Sequence, residues 1–191
     1  MTAYDKHYRE ENLFGEPYPE FVDFITHWPY RGRALDLGCG QGRDALLLAA
    51  AGFQVTAIDI SKVGVRQMLS EAKERHLSIN GIVADIYTVD LEHTYDLILF
   101  NSIFHFETPD RDKELGLLKA ATLHLNPQGV ICIFVHQAQQ KETLIKDFFK
   151  TNYPEWRVIV DRYLDYLYEE KSSDFRSAMK FNMYFVQNSY S

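Results

Sequence analysis

Cysteine is scarce in this chain of 191 residues: there are two, Cys39 and Cys132. One lies in a glycine-rich turn and the other in an apolar run, so neither has a neighbour at metal-ligand spacing. This excludes a disulfide framework, no metal is expected, and both thiols read as small buried residues. So little cysteine suits a reducing compartment. Basic runs are missing as well. Lys and Arg number 20 against 27 Asp and Glu, a formal charge of −7. An acidic chain repels a phosphate backbone at long range, so a nucleic-acid partner is not expected. Long hydrophobic runs are also absent. The longest apolar stretch, Ala45 to Phe53, is too short to span a bilayer. Met1 to Glu11 is charged and has no apolar core of a secretory leader, so the expected location is cytoplasmic, away from membranes. Internal repeats, low-complexity segments and linkers are lacking too, which makes one domain over 1–191 the economical reading.

What is present is ordinary for a folded domain: 46% hydrophobic and 25% charged residues, with a rich 14% of aromatics. Residues 1–30 are aromatic and irregular, with a short helix expected over 18–28 from Pro19, Phe21, Phe24 and Ile25. Then a rhythm begins. Strands are expected at Arg33–Leu37, Gln54–Asp59, Ile79–Ala84, Tyr95–Asn101 and Val130–Val135. Helices are expected between them. Arg43–Ala51 is stopped by Gly52. A second, capped by Ser61, has Val65, Met68, Leu69 and Ala72 on one face. A third, opened by Thr108-Pro109, has Leu115, Leu118, Thr122 and Leu125 on one face and is broken by Asn126-Pro127-Gln128-Gly129. A helix marked by Leu144, Ile145, Phe148 and Phe149 follows. Trp156–Tyr168 and Ala178–Gln187 then read as two strands too close for a helical crossover, hence antiparallel. Alternating strands and helices give an α/β fold: a doubly wound, mainly parallel seven-stranded Rossmann-like sheet with helices on both faces and a C-terminal antiparallel strand pair.

The chemistry concentrates in Asp36-Leu37-Gly38-Cys39-Gly40-Gln41-Gly42. A strand ends in an acid, enters a glycine turn and leaves into a helix. Glycines there let the backbone approach a ligand closely. A dinucleotide site spaces its glycines Gly-x-Gly-x-x-Gly and holds a pyrophosphate at the helix start. Here the third glycine, Gly42, comes one residue earlier, and Asp36 would repel a pyrophosphate. The same carboxylate would attract the ammonium of a methionine moiety. The local electrostatics therefore favour S-adenosylmethionine over NAD.

On these residues the chain resembles the class I S-adenosylmethionine-dependent methyltransferases, over residues 34 to 136 by motif and over the tail by topology. Asp36, Gly38, Gly40 and Gly42 fit the family's acid–x–Gly–x–Gly–x–Gly signature, with Cys39 inside the turn. The resemblance implies that Asp59, ending the second strand, grips both ribose hydroxyls. It implies that Ile60 packs on the adenine, that Asp85 after the third strand meets the adenine amino group, and that the Ile86 N–H reaches a ring nitrogen. Asn101, ending the fourth strand, joins this cofactor set. Asn126-Pro127-Gln128-Gly129 is similar to the family's Pro-Gly-Gly turn, with Gln128 in place of one glycine. The motif 36–44, with Tyr4 and Tyr8 before it, looks most like the tellurite-resistance and thiopurine-type branch, whose members methylate small molecules. The implied layout is an N-terminal segment or lid at 1–30, a cofactor-binding core at 33–136 and a C-terminal helix and strand pair at 137–191.

Methyl transfer asks little of a protein, because a sulfonium is already a good leaving group; orientation and exclusion of water carry most of it. A general base is needed only for a nucleophile that arrives protonated. His105, in Asn101-Ser102-Ile103-Phe104-His105-Phe106, is the candidate, since the resemblance places the reactive methyl near that segment. His136, at the end of the fifth strand, is a second pocket candidate. Arg43 has Asp44, Asp36 or an anionic substrate as partners, and Tyr163, Tyr166 and Tyr168 read as sheet packing. Three functions stay open: methyl transfer to a small molecule with S-adenosylhomocysteine as product, a non-catalytic module that binds either of these compounds, and a nicotinamide oxidoreductase. The acceptor and the oligomeric state are not encoded in any motif.

Overall fold

In the first unit of the chain, Met1–Tyr95, the glycine turn is launched by a short parallel sheet. The computed structural model describes residues 5, 8, 13–169 and 176–189. Helix α1 (Pro19–His27) begins with Pro19 and Glu20 in its first turn, where a fixed φ and a negative charge both suit a helix N-terminus, and it buries Phe21 and Ile25. Strand β1 (Arg33–Leu37) is buried at four consecutive positions. That pattern belongs to a strand covered on both faces. Helix α2 (Arg43–Ala50) starts from Gly42 and is followed by Gly52 in the left-handed region. Strand β2 (Gln54–Asp59), helix α3 (Lys62–Glu74) and strand β3 (Ile79–Val83) complete the alternation. β1 and β3 both run parallel to β2, with Leu37 beside Ile58 and Asp59 beside Val83. This register brings the C-terminal ends of the three strands level. Of the α3 face read from the sequence, Val65, Met68 and Ala72 are buried, while Leu69 is among the exposed hydrophobic residues.

The second unit, Asp96–Ser191, holds most of β4 (Tyr95–Asn101), then α4 (Arg111–Leu123), β5 (Leu125–His136), α5 (Gln139–Asn152), β6 (Arg157–Glu169) and β7 (Arg176–Gln187). β7 pairs antiparallel with both β5 and β6, and a bulge lies between Val158 and Val160. The antiparallel tail read from the sequence is thus present. The seven strands are ordered β3-β2-β1-β4-β5-β7-β6 in the sheet. Its core in this unit includes Leu97, Phe100, Phe134 and Phe185, with Phe134 and Phe185 edge to face at 5.4 Å.

Two sequence expectations are corrected here. Asn126-Pro127-Gln128-Gly129 does not lie outside the strand: β5 already starts at Leu125. The segment is paired, the Gln128 N–H donating to Asn188 O at 3.0 Å and the Asn188 N–H to Gly129 O at 2.9 Å. Pro127 is tolerated at such a strand start, where its missing N–H breaks no ladder, and Gln128 takes up a φ of 61°. The second correction concerns α4. Its buried residues are Glu114, Leu117, Leu118, Ala121 and Thr122, whereas Leu125 belongs to β5. The face is rotated by about one residue from the apolar count because a carboxylate, Glu114, is inside it.

Candidate functional site: a glycine turn ringed by buried acids

The turn after β1 is built from residues that only this sequence allows. Gly38, Gly40 and Gly42 have φ of 80°, 54° and 84°, a region that side chains resist. The Gly38 and Cys39 N–H groups both donate to Ile58 O, at 2.8 and 3.1 Å, which ties the turn to the end of β2. Space matters as much as φ. A Cβ on Gly42 would run into the Met68 side chain, and one on Gly64 would lie 2.6 Å from Gly40 O. The turn and the start of α3 therefore touch backbone to backbone.

Asp59 locks this contact. Its Oδ2 accepts from the Gly40 N–H at 2.8 Å and its Oδ1 from the Ser61 N–H at 2.7 Å. Burial pushes its carboxyl up from the usual range, the two N–H donors pull it back, and Asp5 adds to the rise. Each oxygen has taken one donor and keeps acceptor capacity for another. Asp36 is more deeply buried. Burial first, then the neighbouring Asp44 and Asp59, drive its carboxyl well above the ordinary value, while Arg43 and the Ala45 N–H oppose this. Arg43 is committed elsewhere: its Nε and Nη2 donate to the two oxygens of Asp44 at 3.1 and 2.8 Å, and its guanidinium lies 4.5 Å from the Tyr18 ring centre. Of the partners considered from sequence, Asp44 is the one it takes. Burial works against the Arg43 charge, and Asp44 more than compensates, holding it above its ordinary value.

At the ends of β2 and β3, Ile60 and Val83 are both exposed, at 47% and 50%. Asp85 follows, its Oδ1 accepting from the Tyr87 N–H at 3.0 Å and its carbonyl from Thr88 and Val89. The carboxylate is thus held in a fixed turn, with Ile86 half-buried beside it. The first unit therefore gathers Asp36, Gly38, Cys39, Gly40, Gly42, Asp59, Ile60, Asp85 and Ile86 after three level strand ends.

Residues before the sheet are seated on this turn, which sequence reasoning left undecided. Tyr8 is buried, and a Cβ on Gly40 would sit 2.7 Å from its hydroxyl. Gln67 donates to Tyr8 O at 2.9 Å, Gln41 to Gln67 Oε1 at 3.0 Å, and the Leu13 N–H to Gln41 Oε1 at 2.9 Å. Asp5 accepts from the Ser61 hydroxyl at 2.6 Å. Tyr4, singled out with Tyr8 in the sequence, lies outside the described residues.

In the second unit, Asn101 ends β4 and its Oδ1 accepts from the Ser102 hydroxyl at 3.1 Å. His105 is exposed between Phe104 and Phe106, which are buried and stacked at 5.3 Å. Both the His105 and Phe106 N–H groups donate to Glu114, a residue no motif pointed to. His136 is exposed, its ring 5.5 Å from that of Phe181. Tyr163 does more than pack: its hydroxyl donates to Glu142 at 2.7 Å. Cys39 and Cys132 are buried free thiols, and burial pushes both up. Among the described residues no group of His, Cys, Asp and Glu is placed to hold a metal, and no helix is long and apolar enough to cross a membrane.

The donor set fits S-adenosylmethionine. Two buried carboxylates, Asp36 and Asp59, suit an ammonium and a pair of hydroxyls. The side-chain-free glycine turn between them admits close backbone approach. Comparison with known proteins agrees. Residues 34–129 match the family of methyltransferase domains. The cypemycin N-terminal methyltransferase of Streptomyces sp. is 30% identical over 105 residues, 54% of this chain and 42% of that protein. The probable S-adenosyl-L-methionine-dependent methyltransferase TehB of Haemophilus influenzae (strain 10810) is 34% identical over 98 residues, 51% of this chain and 33% of that protein. The chain thus spans less than half the length of these relatives. The crystal structure of TehB superposes with a TM-score of 0.75 at 21% identity, over 97% of this chain and 65% of that one. The N-methyltransferase NodS of Bradyrhizobium japonicum WM9, in complex with S-adenosylhomocysteine, gives 0.70 at 14% identity over 97% and 96%. With its glycine turn, its strand-end acids and this matched region, the chain belongs to the methyltransferase domain family, as a Rossmann-like class I S-adenosylmethionine-dependent methyltransferase domain.

Proposed function

We propose that this domain transfers a methyl group to a small-molecule acceptor by in-line displacement. The observation that carries the reading is the Tyr8 side chain seated on Gly40, with Asp5 bonded to Ser61 beside Asp59: residues before α1 lie directly on the cofactor turn, as a cover over a small enclosed acceptor would. Bound S-adenosylmethionine supplies an electrophilic methyl carbon on a sulfonium that leaves as a neutral thioether. Asp36 receives the ammonium of the methionine moiety, and Asp59 accepts hydrogen bonds from the ribose hydroxyls with its remaining lone pairs. Ile60 and Val83 offer an apolar surface to the adenine, Asp85 accepts from its amino group, and the Ile86 N–H donates to its ring; Asn101 completes the set. The protein's work on the acceptor side is to orient it and exclude water. His105 takes the proton from an acceptor that arrives as a thiol, hydroxyl or ammonium.

The net charge of −7 favours a small acceptor over a long polyanion. The fold itself is neutral on this point, since one architecture hosts many acceptors. Calorimetric titration with S-adenosylmethionine and S-adenosylhomocysteine, followed by release of S-adenosylhomocysteine in a panel of thiols, phenols, amines, an RNA transcript and a peptide, tests the reading. Tight binding with turnover of a small acceptor is expected. Turnover of the RNA or the peptide alone overturns the small-molecule assignment, and binding without any turnover identifies a non-catalytic module.

A further inference from the structure

Glu114 has no place in the mechanism, yet among the described residues it is the most deeply buried carboxylate of the second unit, at 2% exposure. Burying a carboxylate is costly unless its oxygens are occupied by donors. Here the donors are two successive backbone groups. The His105 N–H lies 3.2 Å from Oε1 and 3.1 Å from Oε2, and the Phe106 N–H lies 2.6 Å from Oε2. The segment so held is unusual. Ser102 and Phe106 have φ of 61° and 51°. A bulky residue in that region persists only where its surroundings over-determine it. At one end the Ser102 N–H is tied to Phe134 O at 2.9 Å. At the other, Glu114 grips the last two residues. Between them Phe104 and Phe106 are sunk into the core, so His105 is turned outward by both neighbours.

From this geometry we infer that Glu114 is a positioning residue: reaching from α4, it fixes segment 102–106 and thereby the direction of the His105 imidazole. The inference rests on the reading of His105 as the acceptor-side base. Removing the grip leaves the buried Phe106 N–H and the half-buried His105 N–H without their acceptor and frees the imidazole to rotate away from a productive geometry. A displacement of an ångström at a reacting group can lower a rate by about 10²-fold.

The test uses Glu114→Gln, which keeps volume and one acceptor oxygen, with Glu114→Asp and Glu114→Ala beside it. The first readout needs no acceptor. In ¹⁵N-labelled full-length protein with S-adenosylhomocysteine, exchange of the His105 and Phe106 amides is expected to speed up at least about tenfold in Glu114→Gln, with β4 and β5 amides unchanged. The second readout is kinetic, with thiophenol as the acceptor probe. A fall in kcat of about 10²-fold is expected with the KM for S-adenosylmethionine unchanged. The double variant His105→Ala/Glu114→Gln should be no slower than His105→Ala alone. Unchanged exchange in Glu114→Gln overturns the inference. So does full turnover of Glu114→Gln where His105→Ala is impaired, and so do additive losses in the double variant. His105→Ala at full turnover overturns the base reading itself, a separate outcome from a failed clamp.

Discussion

At the scale of single residues, the acids after β1 and β2 do two jobs, and this shapes what their substitution should do. Asp59 holds the Gly40 and Ser61 N–H groups and, in the proposed function, two ribose hydroxyls as well. Hydrogen bonds to charged groups contribute about 1.5–3 kcal/mol apiece. Asp59→Ala is therefore expected to weaken S-adenosylmethionine binding by at least tenfold in calorimetry and also to lower the melting temperature, whereas a residue serving the ligand alone would leave melting unchanged. Asp36 gives a pH prediction. Burial, Asp44 and Asp59 raise its carboxyl well above 3.8, its ordinary value, in the folded protein. The folded state thus holds that proton more tightly than the unfolded chain. Its contribution to stability is full below about pH 4 and is lost as pH rises through the raised value. Binding an ammonium requires the ionised form, so affinity for S-adenosylmethionine should rise as pH increases through that raised value, until the α-amino group of the ligand loses its own proton. Asp36→Asn should bind weakly with a flat profile over the same range; an equally steep profile in that variant would remove Asp36 from the ligand site. The positions of Asp36, Asp59 and Asp85 were legible in the sequence because each follows an apolar run. The Gly40 partner of Asp59 was not, since Gly40 comes near Asp59 only through the strand register.

At the scale of elements, most boundaries were readable for a physical reason: Pro19, Gly42, Gly52 and Ser61 punctuate the backbone in ways that depend little on tertiary context. α4 was misread for the complementary reason. Periodicity counts apolar residues, so a buried Glu114 is invisible to it, and the clamp on residues 105–106 was invisible with it. Asn126–Gly129 was misread because turn residues can also sit in a strand whose neighbour supplies the bonds, here Asn188. The start of α3 yields the prediction at this scale. Ser61 Oγ accepts from the Gly64 N–H at 3.1 Å and donates to Asp5 at 2.6 Å, so one hydroxyl both caps the helix and anchors the N-terminal segment. Losing such a cap costs about 0.5–2 kcal/mol. Ser61→Ala should lower the urea midpoint accordingly with an unchanged slope, and Ser61→Thr, which keeps the hydroxyl, should recover most of it.

At the scale of the whole molecule, the open question is whether residues before α1 act as a cover or as mere packing, and the observed contacts sharpen it. Tyr8 sits on Gly40 and against Gly64, two positions where a side chain of its own would have no room. Leu13 is bonded to Gln41 inside the glycine turn, and Phe14 meets Tyr8 edge to face at 6.3 Å. These contacts are with the turn and α3, not with the outer faces of the helices. Asp5 also places a third carboxylate next to Asp59, raising it further, so the segment adjusts the charge of the turn as well as covering it. Deleting residues 1–15 removes the Tyr8 and Asp5 contacts while sparing α1 and every strand. The expected product is a folded protein with a melting temperature lowered by a few degrees, since the buried Tyr8 and Asp5 contacts are lost while the sheet is kept. It should have weaker affinity for S-adenosylmethionine and most of its turnover lost, because water then reaches the sulfonium and the glycine turn is no longer braced. Full activity after the deletion would reduce the segment to decoration. A collapse of melting, with binding restored by stabilising solutes, would make it part of the core of the first unit instead. Tyr8→Phe isolates the hydroxyl: it keeps the ring on Gly40 and Gly64, so it should preserve stability, and a drop in cofactor affinity would assign the Tyr8 oxygen to the ligand.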